Sequence, residues 1–275
     1  MYRFLLYFLL IASCLAACTD SPTGPTYRYV HLAHTRAAAN PHLDSVVETT
    51  DWARFDQLWL GGDLLYNTSL SPAYLARVDS LLYLSSPTTH LAPGNHDYDD
   101  PARLSATTGR PLYYFTHQQG VGLLVLDTQD SLSHIRGEQL AFVRRTLADL
   151  PPLSHLVVLH HKLIWLDDDG PLRERVSAVA NGGYGAACDY CINPNNFYRD
   201  VYPLLVQVEQ NGTDVICLAG DVGFKVPTFH HLTTEGIDLL ASGLNYRVAE
   251  KWVLLFEHAP GSGQLSWRFA RIADL

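Results

Sequence analysis

The order of apolar segments predicts an α/β fold built on layered sheets. Strand-like and helix-like segments alternate through the first two thirds of the 275-residue chain, and strands then dominate. Hydrophobic residues make up 47% and charged residues 17%, a balance that supports a large buried core and excludes a disordered chain. Polar residues recur where strands end, at His34, Asp63, Asn95, His160 and Asp221. In open α/β sheets, ligands bind at the carboxyl ends of the strands.

The domain follows a leader. Arg3 and the apolar run at residues 4–12, too short to span a bilayer, have the make-up of an export signal. Leu15-Ala16-Ala17-Cys18 resembles the lipobox of bacterial lipoproteins. That resemblance implies a signal peptide over residues 1–17, lipidation at Cys18 and a lipid anchor to a membrane of the bacterial cell envelope. Cys14 is the weaker alternative, and an ordinary cleaved signal stays open. Residues 18–26 are polar, carry Pro22 and Pro25, and read as a tether. Residues 27–275 form one domain.

Within it, residues 27–32 read as a strand running into His31-Leu32-Ala33-His34-Thr35-Arg36. Residues 43–55 have helical spacing, with Val46, Val47, Trp52 and Phe55. Leu58-Trp59-Leu60 is a short strand closed by Gly61-Gly62-Asp63, and residues 72–84 are helical. Pro93-Gly94 then opens a sharp loop carrying Asn95, His96 and Asp97. Residues 112–115 and 122–126 read as adjacent strands joined at Gln118-Gln119-Gly120, the second ending at Asp127. Residues 137–150 form a helix stopped by Pro151-Pro152. Residues 156–159 are a strand with His160-His161 at its end. Residues 167–191 form an acidic, glycine-rich insertion that reads as a lid or rim. A helix over 196–210 and a strand over 215–218, ending at Gly220-Asp221, follow. Strands at 237–241, 252–256 and 265–272 finish the chain, the last two separated by Pro260-Gly261-Ser262-Gly263.

Export implies an oxidising compartment. Cys188 and Cys191 sit among Gly182, Gly183, Gly185 and Pro194, and read as a structural disulfide. A zinc half-site lacks a second Cys pair. Cys217, in an apolar run, reads as a buried thiol. The formal net charge of −9, with no basic stripe, argues against general nucleic-acid binding. Small phosphorylated substrates remain open, because a bound metal reverses the local field.

The strand-end residues share a chemistry. Carboxylate and amide oxygens suit hard divalent ions, and imidazole suits first-row transition metals. Asp63 is placed to bridge two ions about 3.5–4 Å apart, with Asn95 and His160 as further donors. His96 is then free to protonate a leaving oxygen, with Asp97 holding its other nitrogen.

Gly62-Asp63, then Gly94-Asn95-His96-Asp97, then His160 after an apolar strand resembles the calcineurin-like metallophosphoesterase family over about residues 27–225. The resemblance implies a four-layer α/β/β/α sandwich of two mixed sheets and a dinuclear site. It implies Asp63 as the bridge, Asn95 and His160 as ligands, and His96 on the scissile phosphate. It also implies hydrolysis of a phosphate mono- or diester by a metal-activated hydroxide.

Two motifs depart from the family pattern. The family opens with Asp-x-His; His34 matches its His, but Leu32 stands at the Asp position, with His31 beside it. The family closes with Gly-His-x-His; here Gly220-Asp221-Val222-Gly223 offers Asp221 as a replacement oxygen ligand and nothing at Gly223. One well-made site is therefore expected, from Asp63, Asn95, His160 and Asp221, beside a second reduced to Asp63 and His34. Such an oxygen-rich set suits Mn²⁺, Fe²⁺ or Mg²⁺ better than Zn²⁺. The departures also motivate a second reading, a catalytically impaired member serving as an envelope binding or assembly protein. A third is a metal-dependent hydrolase of another bond. Arg36 is placed to grip a substrate phosphate and His161 to line its pocket, with Asp127 orienting the site from behind. Arg110, Trp165, Tyr184 and Asn195 stand on loops near the cleft, and residues 167–195 shape specificity. His42, His90, His155, His230 and His231 read as ordinary surface or core histidines.

Overall fold

The computed structural model describes residues 24–167 and 170–275; the segment expected to be an export signal, and Cys18, lie outside the described residues. β1 (Tyr27–Leu32) leads into α1 (Ser45–Thr49), capped by Asp44. The single helix expected over 43–55 is broken here. Thr50 and Asp51 take extended backbone, and the Asp51 carboxylate caps a separate turn at Trp52–Arg54. β2 (Gln57–Leu60) follows. α2 (Pro72–Leu82) starts with Ser71 as cap and Pro72 in its first turn, and stops at Tyr83, whose φ of 53° is left-handed.

β3 (Thr89–Leu91) and α3 (Pro101–Thr108) are two elements that apolar periodicity does not announce. α3 nevertheless carries a readable signature, with Asp100 as cap, Pro101 inside the start and Gly109 just past the end. β4 (Tyr114–Gln118) and β5 (Val121–Val125) form a hairpin turning on Gln119 and Gly120, both at positive φ. α4 (Gly137–Ala148), β6 (His155–His160) and the short α5 (Val176–Val179) come next. α6 (Tyr202–Gln210) follows a wide helical turn at Phe197–Val201. β7 (Asp214–Ala219), β8 (Thr228–Leu232), β9 (Asp238–Ser242), β10 (Trp252–Ala259) and β11 (Gln264–Arg271) complete the chain. β8 escapes the sequence reading because His230 and His231 make an edge strand look polar.

The strands form two mixed sheets, ordered β11-β10-β1-β2-β3 and β4-β5-β6-β7-β9-β8. β1, β2 and β3 run parallel in the first, and β5, β6, β7 and β9 in the second. Strand alternation divides the apolar residues among three clusters. Val30, Leu32, Leu58 and Leu60 pack with Val47, Leu75 and Val78 of the helices on the first sheet. Tyr29, Trp59, Val157, Leu159 and Phe256 fill the space between the sheets. Leu156, Val158 and Cys217 pack with Val143 and Leu205 of α4 and α6. The result is the four-layer α/β/β/α sandwich. Strands buried on both faces read as unbroken apolar runs, which is why Leu58–Leu60 and 156–159 stand out in the sequence.

Parallel neighbours bring the carboxyl ends of each sheet to one edge, and there the sheets converge. The N–H groups of Gly220 and Asp221, after β7, donate to His161 O at 3.0 and 2.9 Å. Leu244 N, after β9, donates to Ala33 O at 2.9 Å. A Cβ on Gly220 would stand 2.0 Å from Gly61 O, so only glycine allows the two sheets to meet this closely.

Candidate metal centre

Asp63, just past β2, is the hub of this edge. It is 1% exposed and holds a left-handed φ of 59°. Non-glycine residues persist there only when their surroundings over-determine them. Asp63 N donates to Asp97 Oδ2 at 2.6 Å, while His96 N donates to Asp63 Oδ1 at 3.1 Å. Arg36 Nη1 donates to Asp63 Oδ2. Burial disfavours the charged carboxylate, but His161, His34 and Arg36 more than offset it and hold Asp63 well below the usual carboxylate range.

Around it lies a group of side chains that could hold a metal ion. One ligand atom each from His34, His161 and Asp221, all buried, lie within 4.8 Å of one another. His34 Nε2 is 3.3 Å from Asp221 Oδ1, and His34 Nδ1 is 3.5 Å from Asp63 Oδ2. His161 Nδ1 donates to Gly61 O at 2.6 Å, and its Nε2 lies 3.6 Å from Asp63 Oδ1. His161 Nε2 and His34 Nδ1 are buried without a hydrogen-bond partner. Such orphaned atoms cost about 1–3 kcal/mol each unless a ligand meets them. A carbonyl fixing the far nitrogen of a ring is the usual support for a metal-binding histidine. The residues present therefore fit a divalent ion.

His160, the last residue of β6, and His161, just beyond it, point to different sides of the sheet. His160 continues the alternation of Leu156 and Val158, and its ring packs edge-on against Trp165 of the helix-side core at 4.7 Å. Its Nδ1 donates to Lys162 O at 2.6 Å. His161, the first residue beyond the strand, turns into the cluster instead. His31 is also turned away from the cluster: it is fully buried, with Nδ1 2.7 Å from Ser242 Oγ, and burial lowers its pKa to about 3.

Asp97 does not touch His96 through its side chain. It is fully buried and accepts from Asp63 N, Leu64 N, Gly94 N and Thr68 Oγ1. This carboxylate ties the Asp63 turn to the Gly94 loop. His96 is held by Tyr66 O, which accepts from Nδ1 at 2.8 Å, and its Nε2 lies 4.0 Å from Asp63 Oδ2. Asp127 reaches the same loop through Tyr98, whose hydroxyl donates to Asp127 Oδ2 at 2.6 Å.

Arg36, Asp63, Asn95, His96 and Asp221 line one cleft of about 310 Å³, closed on the other side by Asn181, Gly182, Tyr190 and Phe224. Asn181, from the insertion, is a site residue that sequence reasoning missed. Its Nδ2 lies 3.0 Å from Asp221 Oδ1 and 3.2 Å from His34 Nε2. Its only sequence signal is the Asn181-Gly182-Gly183 turn. The insertion is anchored from within: Cys188 and Cys191 form a disulfide, and the fully buried Lys162 donates Nζ to Asp189 O and, at 2.8 Å, to Cys191 O. Arg110, Trp165 and Asn195 do not line the cleft. Arg110 donates to Thr89 O and Ser86 O, Trp165 is in the helix-side core, and Asn195 accepts from Phe197 N.

No family model and no curated protein matches the chain at the sequence level. Solved structures do resemble it. A 5'-nucleotidase precursor from Thermus thermophilus gives a TM-score of 0.42 at 15% identity, over 90% of this chain and 54% of that one. An NAD nucleotidase from Haemophilus influenzae gives 0.43 at 12% identity, over 90% and 50%. The chain thus spans about half the length of those two. A dimetal phosphatase from Danio rerio gives a TM-score of 0.55 at 12% identity, over 84% of this chain and 92% of that one. The chain has the fold of that dimetal phosphatase.

Proposed function

We propose that this chain is an exported, metal-dependent phosphoesterase, lipid-anchored through Cys18 in the bacterial cell envelope, that hydrolyses a small phosphate mono- or diester. The observation that carries the reading is the buried donor cluster of His34, His161 and Asp221 beside ionised Asp63, with orphaned imidazole nitrogens on His34 and His161. These residues would hold a divalent ion, with Asn95 as a further oxygen donor. Two imidazoles with carboxylates suit Mn²⁺, Fe²⁺ or a catalytic Zn²⁺, and suit Mg²⁺ less well than the one-imidazole set expected around His160. When bound, the ion supplies Lewis acidity and lowers the pKa of water.

The chain's own residues do the rest. Arg36 presents a planar fork that matches phosphate oxygens. Tyr66 O accepts from His96 Nδ1 and so directs Nε2 into the cleft. Protonated there, His96 would give its proton to the leaving oxygen as the ester P–O bond breaks and a P–O bond to the water oxygen forms, that water losing one proton to solvent.

The test is hydrolysis of an aryl phosphate monoester and diester with Mn²⁺ added. Activity is expected to fall about a hundredfold or more in Asp63→Asn and in His96→Ala. A second reading is favoured by Leu32, buried in the helix-side core, and by Gly223, whose φ of 126° and contact with Leu244 O leave no room for a side chain. On that reading the chain binds metal and a phosphorylated ligand without hydrolysis. Absence of turnover with every metal tried would favour it.

A further inference from the structure

The same fold carries a dimetal phosphatase in another chain, yet here the side chains around Asp63 are arranged for one ion and one built-in cation. We propose that the Arg36 guanidinium takes the place of a second metal ion against Asp63, so that the chain binds a single divalent ion and uses Arg36 as the other positive pole of a phosphate site.

The Asp63 carboxylate meets both the ion ligands and Arg36. Oδ1 accepts from His96 N and faces the orphaned His161 Nε2 at 3.6 Å, whereas Oδ2 takes the Arg36 Nη1 hydrogen bond and lies 3.5 Å from His34 Nδ1. His34, His161 and Asp221 converge on one place, and they make the one such group of three histidine, cysteine or carboxylate donors among the described residues. Arg36 is no loose surface side chain. It is 6% exposed, and its guanidinium carbon lies 5.2 Å from the Tyr66 ring centroid and 5.5 Å from that of Phe224. Two aromatic faces are a suitable seat for a flat, weakly hydrated cation. Arg36 lines the cleft. A guanidinium carries five N–H donors, more than its hydrogen bond to Asp63 takes up. A guanidinium never loses its charge at working pH, so this pole does not depend on metal supply.

The inference rests on the phosphoesterase reading only for the identity of the cleft's ligand, and inorganic phosphate serves as the probe. The full-length chain is loaded with Mn²⁺, and its metal content and electron paramagnetic resonance spectrum are recorded. Phosphate affinity is then measured for the wild type, Arg36→Ala and Arg36→Lys. One Mn²⁺ per chain is expected, with no exchange coupling between ions. Phosphate binding should weaken at least tenfold in Arg36→Ala and recover in part in Arg36→Lys. Two ions per wild-type chain would overturn the proposal whatever the variants do. Unchanged phosphate affinity in Arg36→Ala would also overturn it. Two ions with ester hydrolysis would leave the phosphoesterase reading standing alone. One ion, Arg36-dependent phosphate binding and no hydrolysis would do the reverse. No bound ion would remove both.

Discussion

The loops at residues 94–97 and 220–223 reach the same cleft from different sheets, and they use their carboxylates in opposite ways. In the first, Asp97 spends its oxygens on three backbone N–H groups and a hydroxyl. In the second, the backbone is anchored separately, by Gly220 N and Asp221 N on His161 O. The Asp221 side chain is left to face His34 and Asn181. The carboxylate next to His96 is scaffolding here, and the one at Asp221 faces the proposed ion site. Neighbourhood in sequence does not decide between these uses; the destination of each oxygen does.

The comparison can be broken most directly at Asp97. Asp97→Ala leaves three buried N–H groups unpaired and should cost about 3–5 kcal/mol in urea unfolding. A cost below about 1 kcal/mol together with lost metal binding would return Asp97 to the chemistry. Asp221→Ala should do the opposite. Titration calorimetry with Mn²⁺ should show affinity lowered about a hundredfold or more, while stability in chelator changes by no more than about 1 kcal/mol. His160→Ala sharpens the same contrast inside β6. It opens space beside Trp165 and should destabilise the fold by about 2–3 kcal/mol with metal content intact. Loss of the ion from that variant would restore His160 to the ligand set. The smallest effect is expected at the insertion. Reducing the Cys188–Cys191 bond releases a four-residue loop, for which chain entropy gives at most about 2 kcal/mol. The substrate KM should rise more than kcat falls, because Tyr190 and Asn181 border the cleft. A fall in kcat alone would place the insertion in the chemistry itself.

Much of this is legible in the sequence. Buried strands announce themselves as apolar runs, so the two sheets and the polar ends of β2 and β7 follow from pattern. The His160–His161 pair is oriented differently from the sequence expectation, for a reason that pattern also contains. Leu156 and Val158 face α4 and α6, and a period of two carries His160 to that same side. Residue 161 is the first one free of the strand. Asp97 and Asn181 are not legible in the same way. The partners of Asp97 lie 29 to 34 residues away at Asp63, Leu64 and Thr68, and Asn181 meets His34 across 147 residues. Long-range pairings of this kind carry no periodicity. The break between Thr50 and Asp51 shows a local signal overlooked, since an Asp placed to cap a new turn ends the helix before it.

The proposed divalent ion sits between His161 and His34, with Asp221 and Asp63, at the meeting of the two sheets. Pulsed electron paramagnetic resonance of the Mn²⁺-loaded chain, with histidine nitrogens isotopically labelled, tests it directly. Couplings from two histidines are expected, with one lost in His161→Ala and both kept in His160→Ala. Loss of a coupling in His160→Ala, with His161→Ala unchanged, would contradict the account.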